Sequence, residues 1–188
     1  MNIVLASSSP RRRELLSHFS VPFLVDPAAG PEDPPAGAGP EETVLTLAAA
    51  KADEVAARRP DCVVIGADTV VELDGTILGK PADRDDAFRM LRALSGREHR
   101  VYTGIAVMRG DERLCGAEMT RVFFREMTDR EINAYIDSGE PMDKAGAYGI
   151  QGKAALFVEA IEGDYYNVVG LPLCRLGRML AGKGVPVL

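Results

Sequence analysis

At 188 residues the chain is long enough for one domain, or two small lobes at most, with a sizeable core. Hydrophobic residues make up 46% and charged residues 27%, the balance of an ordinary soluble globular protein. A formal net charge of −6 argues against bulk electrostatic binding to nucleic acid or an anionic membrane, yet leaves room for a small anionic substrate held by a local basic cluster.

The first residues, MNIVLASSSPRRRELL, predict a short buried strand over Asn2–Ala6 and a helix from about Pro10 to His18. Ser9 suits its N-cap and Pro10 its first turn. Val21–Asp26 reads as a second strand, and the proline- and glycine-rich stretch Pro27–Pro40 as a loop. A long helix is expected over Glu41–Arg59, with Val44, Leu47, Ala48, Val55 and Ala56 on one face. Cys62–Ala67 (CVVIGA) is a continuous apolar strand of the kind buried on both faces. Asp68 is expected where that strand ends. Thr69–Leu73 and Thr76–Leu78 flank Asp74-Gly75, a tight-hairpin signal.

Asp83 can cap a helix to about Leu94, which Gly96 ends. Arg100–Met108 and Arg113–Arg125 flank a second hairpin at Gly110-Asp111. Thr128 with Glu131 forms a capping box for a helix that stops at Gly139. Glu140–Gly152 reads as glycine-bearing loop, Ala155–Ile161 as a strand, Asp164–Gly170 as strand or loop, and Leu171–Leu180 as a last helix. The sum is an α/β chain with a mixed sheet and packed helices.

Cys62, Cys115 and Cys174 are odd in number and far apart, so neither a disulfide framework nor a metal-ligand spacing is expected, and a reducing cytoplasm is the expected setting. No apolar run approaches the ~20 residues of a membrane span. No basic stretch precedes the short first apolar run, so no signal peptide is expected. With only two histidines, His18 and His99, acid–base chemistry falls to carboxylates.

Four segments can carry chemistry. The turn SSSPRRR places serine hydroxyls, including that of Ser8, and the side chains of Arg11 and Arg12 beside free backbone N–H groups, a setting for phosphate oxygens. The same spacing is also met by a simple Ser9 cap and a solvated arginine face. Asp68, in GADTVV, can hold a hard cation or accept a proton from water, or can stabilise a turn. Lys80, in GKP, is a rotatable point charge suited to phosphate, or an exposed turn lysine. Lys51, mid-helix among alanines, fits a snorkelling surface lysine as well. In DKAGAYGIQG, glycines allow close backbone approach and Gln151 offers the donor and acceptor needed to read a base edge; a mobile loop meets the same pattern. The tyrosines of GDYYNVVGLP can stack on a base or pack in the core.

Taken together, LASSSPRRRELL, LAAAKA, GADTVV, GKP, AFRMLRALSGREHRVYTG, AGAYGIQG and GDYYNVVGLPL resemble the Maf family of nucleoside triphosphate pyrophosphatases from Leu5 to about Leu180. The resemblance implies a single domain over the whole chain. Its implied fold is an elongated α/β unit with a mixed β-sheet and flanking helices around a central cleft, similar to inosine-triphosphate pyrophosphatases. It implies hydrolysis of the α–β phosphoanhydride with a divalent metal cation, Mg2+ or Mn2+. The AGAYGIQG loop resembles the branch acting on dTTP and UTP. An alternative is the 7-methyl-GTP branch. A further one, from another class, is a non-catalytic nucleotide-binding regulator of cell division.

By the same resemblance, Asp68 is the catalytic carboxylate, as proton acceptor or metal ligand. Arg11, Thr69 and Gln151 match positions tied to substrate choice. Ser8, Arg11, Arg12, Lys51 and Lys80 would bind phosphate, and Glu32 with Asp68 the metal. The loop reads GPEDPPAG where the family often shows an Asp-Glu pair, so Asp33 stands beside Glu32 as the alternative. The implied partners are a nucleoside triphosphate and a second copy in a homodimer, with no nucleic acid and no membrane.

Overall fold

Alternating turn residues and apolar runs shape the chain into seven strands and six α-helices over residues 2–188, the residues described by this computed structural model. The strands are β1 (Ile3–Leu5), β2 (Phe23–Val25), β3 (Val63–Leu73), β4 (Thr76–Leu78), β5 (Glu98–Arg109), β6 (Glu112–Phe124) and β7 (Val158–Glu162). They form one sheet in the order β2-β1-β3-β5-β6-β7, with β4 paired to β3. β1 runs parallel to both β2 and β3, while β3–β4 and β6–β7 are antiparallel, so the sheet is mixed as expected.

The helices are α1 (Pro10–Leu16), α2 (Pro40–Arg58), α3 (Arg84–Leu94), α4 (Asp129–Asp137), α5 (Tyr165–Val169) and α6 (Leu173–Gly182). Their starts follow local chemistry. Ser9 accepts the Arg12 backbone N–H ahead of Pro10, and Asp83 accepts that of Asp86. Thr128 and Glu131 complete the capping box. The Asp74-Gly75 turn has positive φ at both residues, 50° and 81°, as a two-residue hairpin of this hand requires.

Three expectations fail for physical reasons. β3 is one strand of eleven residues, so Asp68 lies in its middle and not at its end. A lone charge would break such a buried run; here Lys51 neutralises it. Asp164–Gly170 contains helix α5, because Asp164 Oδ1 accepts the Tyr166 N–H at 2.8 Å and starts a helical turn. The strand expected at Ala155 begins only at Val158, a 3-10 turn over Lys153–Leu156 occupying its start. Within the expected loop Glu140–Gly152, two further 3-10 turns span Glu140–Asp143 and Ala145–Ala147.

The chain divides into two compact units. The first takes the chain up to Thr69, Thr103–Glu118 and Gly170–Leu188; the second takes Val70–Tyr102 and Met119–Val169. In the first, α2 lies on the sheet over Val4, Ala6, Val64, Ala106 and Met108, to which it contributes Ala48, Ala52 and Val55. Its backbone comes close because β3 and β5 present glycines. A Cβ at Gly66 would stand 2.2 Å from the Ala48 carbonyl oxygen, and one at Gly104 2.3 Å from that of Val44. In the second, His99, Phe124, Tyr148, Tyr135 and Phe157 form an aromatic core beside α4. No helix among the described residues is long and apolar enough to cross a membrane.

Candidate active site

The close seating of α2 brings Lys51 down to β3. Its Nζ lies 2.6 Å from Asp68 Oδ1 and 2.6 Å from Glu32 Oε1. The lysine and Asp68 side chains are only 14% and 11% exposed, so each needs the other's charge, whereas Glu32 at 57% reaches in from the proline-rich loop. Of the neighbouring pair in that loop, Glu32 is the carboxylate on Lys51. Its loop is rooted by Glu54 of α2, whose carboxylate accepts the backbone N–H groups of Ala29 and Gly30.

Arg12 is the arginine of the triplet that turns inward. Its Nε donates to the Gly170 carbonyl at 2.9 Å, Nη2 to Thr69 Oγ1 at 2.9 Å and Nη1 to Ser7 Oγ at 3.4 Å. The Thr69 and Thr103 hydroxyls are 2.9 Å apart and share a hydrogen bond. Burial pushes the Arg12 guanidinium below its ordinary pKa, with the nearby Asp68 charge opposing that shift. Arg11 is partly buried and Arg13 exposed. Ser8 is exposed and lines an open groove of about 610 Å³ with Arg13, Phe23 and Val25; neither Asp68 nor Lys51 lines it. Thus Arg12, Glu32, Lys51, Asp68 and Thr69 come together, and Ser8 lines the neighbouring groove, which Ser7 also borders.

Sequence reasoning missed Ser7, Thr103 and the Gly170 carbonyl. Each holds Arg12 or Thr69, and each lies inside a segment singled out for other residues: the serine turn, HRVYTG and NVVGLP.

In the second unit, Lys80 is exposed just after the β3–β4 hairpin, and Gln151 is exposed in its glycine loop. The two segments are tied by a hydrogen bond from the Gly146 N–H to the Gly79 carbonyl at 3.0 Å. Only glycine fits at 146, where φ is +67° and a Cβ would meet the Val71 side chain at 2.9 Å. Tyr148 anchors the same loop: its hydroxyl is 2.8 Å from His99 Nε2, with the two rings edge to face. Burial pushes the Tyr148 phenol up and the His99 imidazole down to about 4. The neutral imidazole and the phenol therefore share one hydrogen bond, whose donor is set by the imidazole tautomer.

This pair makes stability pH-dependent. Between pH ~6.5 and ~4 the unfolded chain binds a proton on His99 that the folded chain refuses, so stability falls as pH falls, by up to about 3 kcal/mol. Urea midpoints measured across that window should drop more steeply for the native chain than for His99→Gln. Parallel curves would show that His99 titrates normally in the fold.

Residues 2–183 match the family model described as Maf-like protein. The chain belongs to the Maf family. This Maf chain is 52% identical over 185 residues to the dTTP/UTP pyrophosphatase of Symbiobacterium thermophilum, a match covering 98% of this chain and 95% of that one. It is 56% identical over 171 residues to the dTTP/UTP pyrophosphatase of Thermococcus gammatolerans, covering 91% of each. Among solved structures, a HAM1 protein from Coxiella burnetii covers 97% of the Maf chain and 99% of its own at TM-score 0.54 and 16% identity. The Ham1 protein of Staphylococcus aureus covers 97% and 100% at TM-score 0.54 and 15% identity. These two likenesses speak for the fold alone, and it is the fold the motifs led one to expect.

Proposed function

We propose that this chain is a nucleoside triphosphate pyrophosphatase that hydrolyses dTTP and UTP to the monophosphate and pyrophosphate. The observation that carries the reading is the charge-balanced cluster of Arg12, Lys51, Asp68 and Glu32, in a chain about half identical to relatives named for that activity. A triphosphate brings about four negative charges near pH 7. Two cations already offset by two carboxylates do not balance them, so further positive charge is needed, of the kind a divalent cation supplies.

The donor set suits such a cation. Mg2+ usually takes one or two carboxylates and completes its shell with substrate phosphates and water. Asp68 and Glu32 converge on Lys51 Nζ, each 2.6 Å from it, and with no group of three or more His, Cys, Asp or Glu among the described residues, here included, a cation would rely on these two carboxylates, phosphate and water. Those two would hold the cation, which when bound supplies charge neutralisation at the phosphates and a more acidic water.

The chain's own groups do the rest. Lys51 fixes Oδ1 of Asp68, leaving Oδ2 without a hydrogen bond among the described residues and able to take the proton of an attacking water. Arg12, held rigid at three points, presents its charge to phosphate. It is a better placed phosphate ligand than Arg11, and Thr69 enters substrate choice by orienting it. Ser8 and Lys80 are assigned to phosphate, and Gln151 to the base. The whole chain is read as one catalytic domain, cytoplasmic and homodimeric as the family resemblance implies.

Pyrophosphate release from a panel of nucleoside triphosphates, with and without Mg2+, tests the proposal. dTTP and UTP should show the highest kcat/KM. A best substrate of 7-methyl-GTP would overturn the base assignment, and binding without turnover would overturn the enzyme reading.

A further inference from the structure

Gln151 is exposed and lies in a loop whose backbone must be held if its amide is to read anything. Tyr135 and Glu140, at the end of α4 and the start of the next turn, provide that hold. The Tyr135 hydroxyl accepts the Gly149 N–H at 3.2 Å and donates to Glu140 Oε1 at 2.9 Å. Glu140 Oε2 accepts the Lys153 N–H at 3.0 Å. The two backbone groups held this way flank Gln151, each two residues from it. The grip is close: a Cβ at Gly152 would stand 2.2 Å from the Glu140 carboxylate, so that carboxylate rests on the loop backbone itself. Tyr135 is buried, edge to face against Phe157, and Glu140 is partly buried, so neither is a loosely solvated side chain. Burial, with Glu140 adding to it, pushes the Tyr135 phenol above its ordinary pKa and keeps it a donor to that carboxylate.

We infer that Tyr135 and Glu140 are positioning residues for base selection, holding the backbone on both sides of Gln151 so that its amide meets a uracil or thymine edge. This rests on the assignment of Gln151 to the base made above. Uracil and thymine present an N–H donor flanked by carbonyl acceptors, which a fixed amide can match; cytosine reverses part of that pattern. A mobile Gln151 would pair with either. Selectivity, not the chemical step, is then what the grip controls.

The test is a double-mutant cycle on selectivity, read as the ratio of kcat/KM for UTP over CTP, in Tyr135→Phe, Gln151→Ala and the double variant. Tyr135→Phe keeps the ring against Phe157 and loses only the hydroxyl. It should lower the ratio about tenfold through a higher KM for UTP, with kcat within about threefold of the native chain. In the Gln151→Ala background it should change the ratio no further. Equal effects in both backgrounds would overturn the inference, because Tyr135 would then act without Gln151. An unchanged ratio in Tyr135→Phe with a lowered one in Gln151→Ala would also overturn it, while leaving the base assignment standing. An unchanged ratio in Gln151→Ala would overturn both. Glu140→Gln, whose amide cannot accept from Tyr135 and Lys153 together, should reproduce the loss, and serves in place of Tyr135→Phe should that variant fail to fold.

Discussion

Asp68→Asn should lower kcat by at least about a hundredfold while the protein stays folded, the usual span of general-base help being about 10²–10⁴-fold. The substitution keeps the shape of the side chain and removes its charge. Lys51 then loses one of two carboxylates but keeps Glu32, so its ammonium is not left buried alone. The stability cost should be limited to about 1.5–3 kcal/mol, the worth of one charge-assisted hydrogen bond. Steady-state turnover of UTP and a thermal melt on the same preparation separate the two effects. A variant that melts near the native protein and turns over at a near-native rate would remove Asp68 from the reaction. Loss of activity with loss of fold would instead mean that the Lys51 pair is structural first, and Glu32→Gln would then test the site from its exposed side.

Local chemistry made much of the fold legible. The Asp74-Gly75 turn, the Thr128–Glu131 capping box, the Ser9-Pro10 helix start and the Asp83 cap each depend on residues within a few positions of one another, and each is found. What failed depends on distant partners. β3 continues through Asp68 only because Lys51, seventeen positions earlier, is laid against it by α2. The candidate site divides the same way. Asp68, Lys51 and Glu32 were named, but not that one lysine joins them. Three successive arginines look alike in sequence; Arg12 is distinguished only by Thr69 and Gly170, which the chain returns to much later. Tyr135 and Glu140 gave no signal at all, because a capped amphipathic helix followed by a glycine accounts for them until the loop they grip is seen.

The seating of α2 is where fold and chemistry depend on the same atoms, and Gly66→Ala should expose this. The added Cβ would stand 2.2 Å from the Ala48 carbonyl oxygen and 2.9 Å from the Ala52 backbone nitrogen, both helix backbone and neither able to rotate away. The helix must lift or the strand must bend. Overpacking of this kind costs about 3 kcal/mol, which for a chain of this length lowers the melting temperature by roughly 6–12 °C. Lys51 lies between Ala48 and Ala52 on the same helix, so whatever lifts α2 also moves its ammonium from Asp68. Displacements of about an ångström in a reacting constellation cost up to about a hundredfold, and kcat should fall at least about tenfold even well below the melting point. Gly39→Ala is the matched control. It is the N-cap of the same helix, with an ordinary φ of −71° and nothing within 4 Å of its Cβ position, so alanine there should leave kcat nearly unchanged and cost at most about 1 kcal/mol of capping, well short of the loss at Gly66. If Gly66→Ala melted with the native protein, α2 could rise from the sheet without cost, and the close approach at Gly66 would not be what holds Lys51 on Asp68. If it melted early but kept full turnover, the Lys51–Asp68 contact would survive the lift, and the geometry of that pair would be set from the strand side alone.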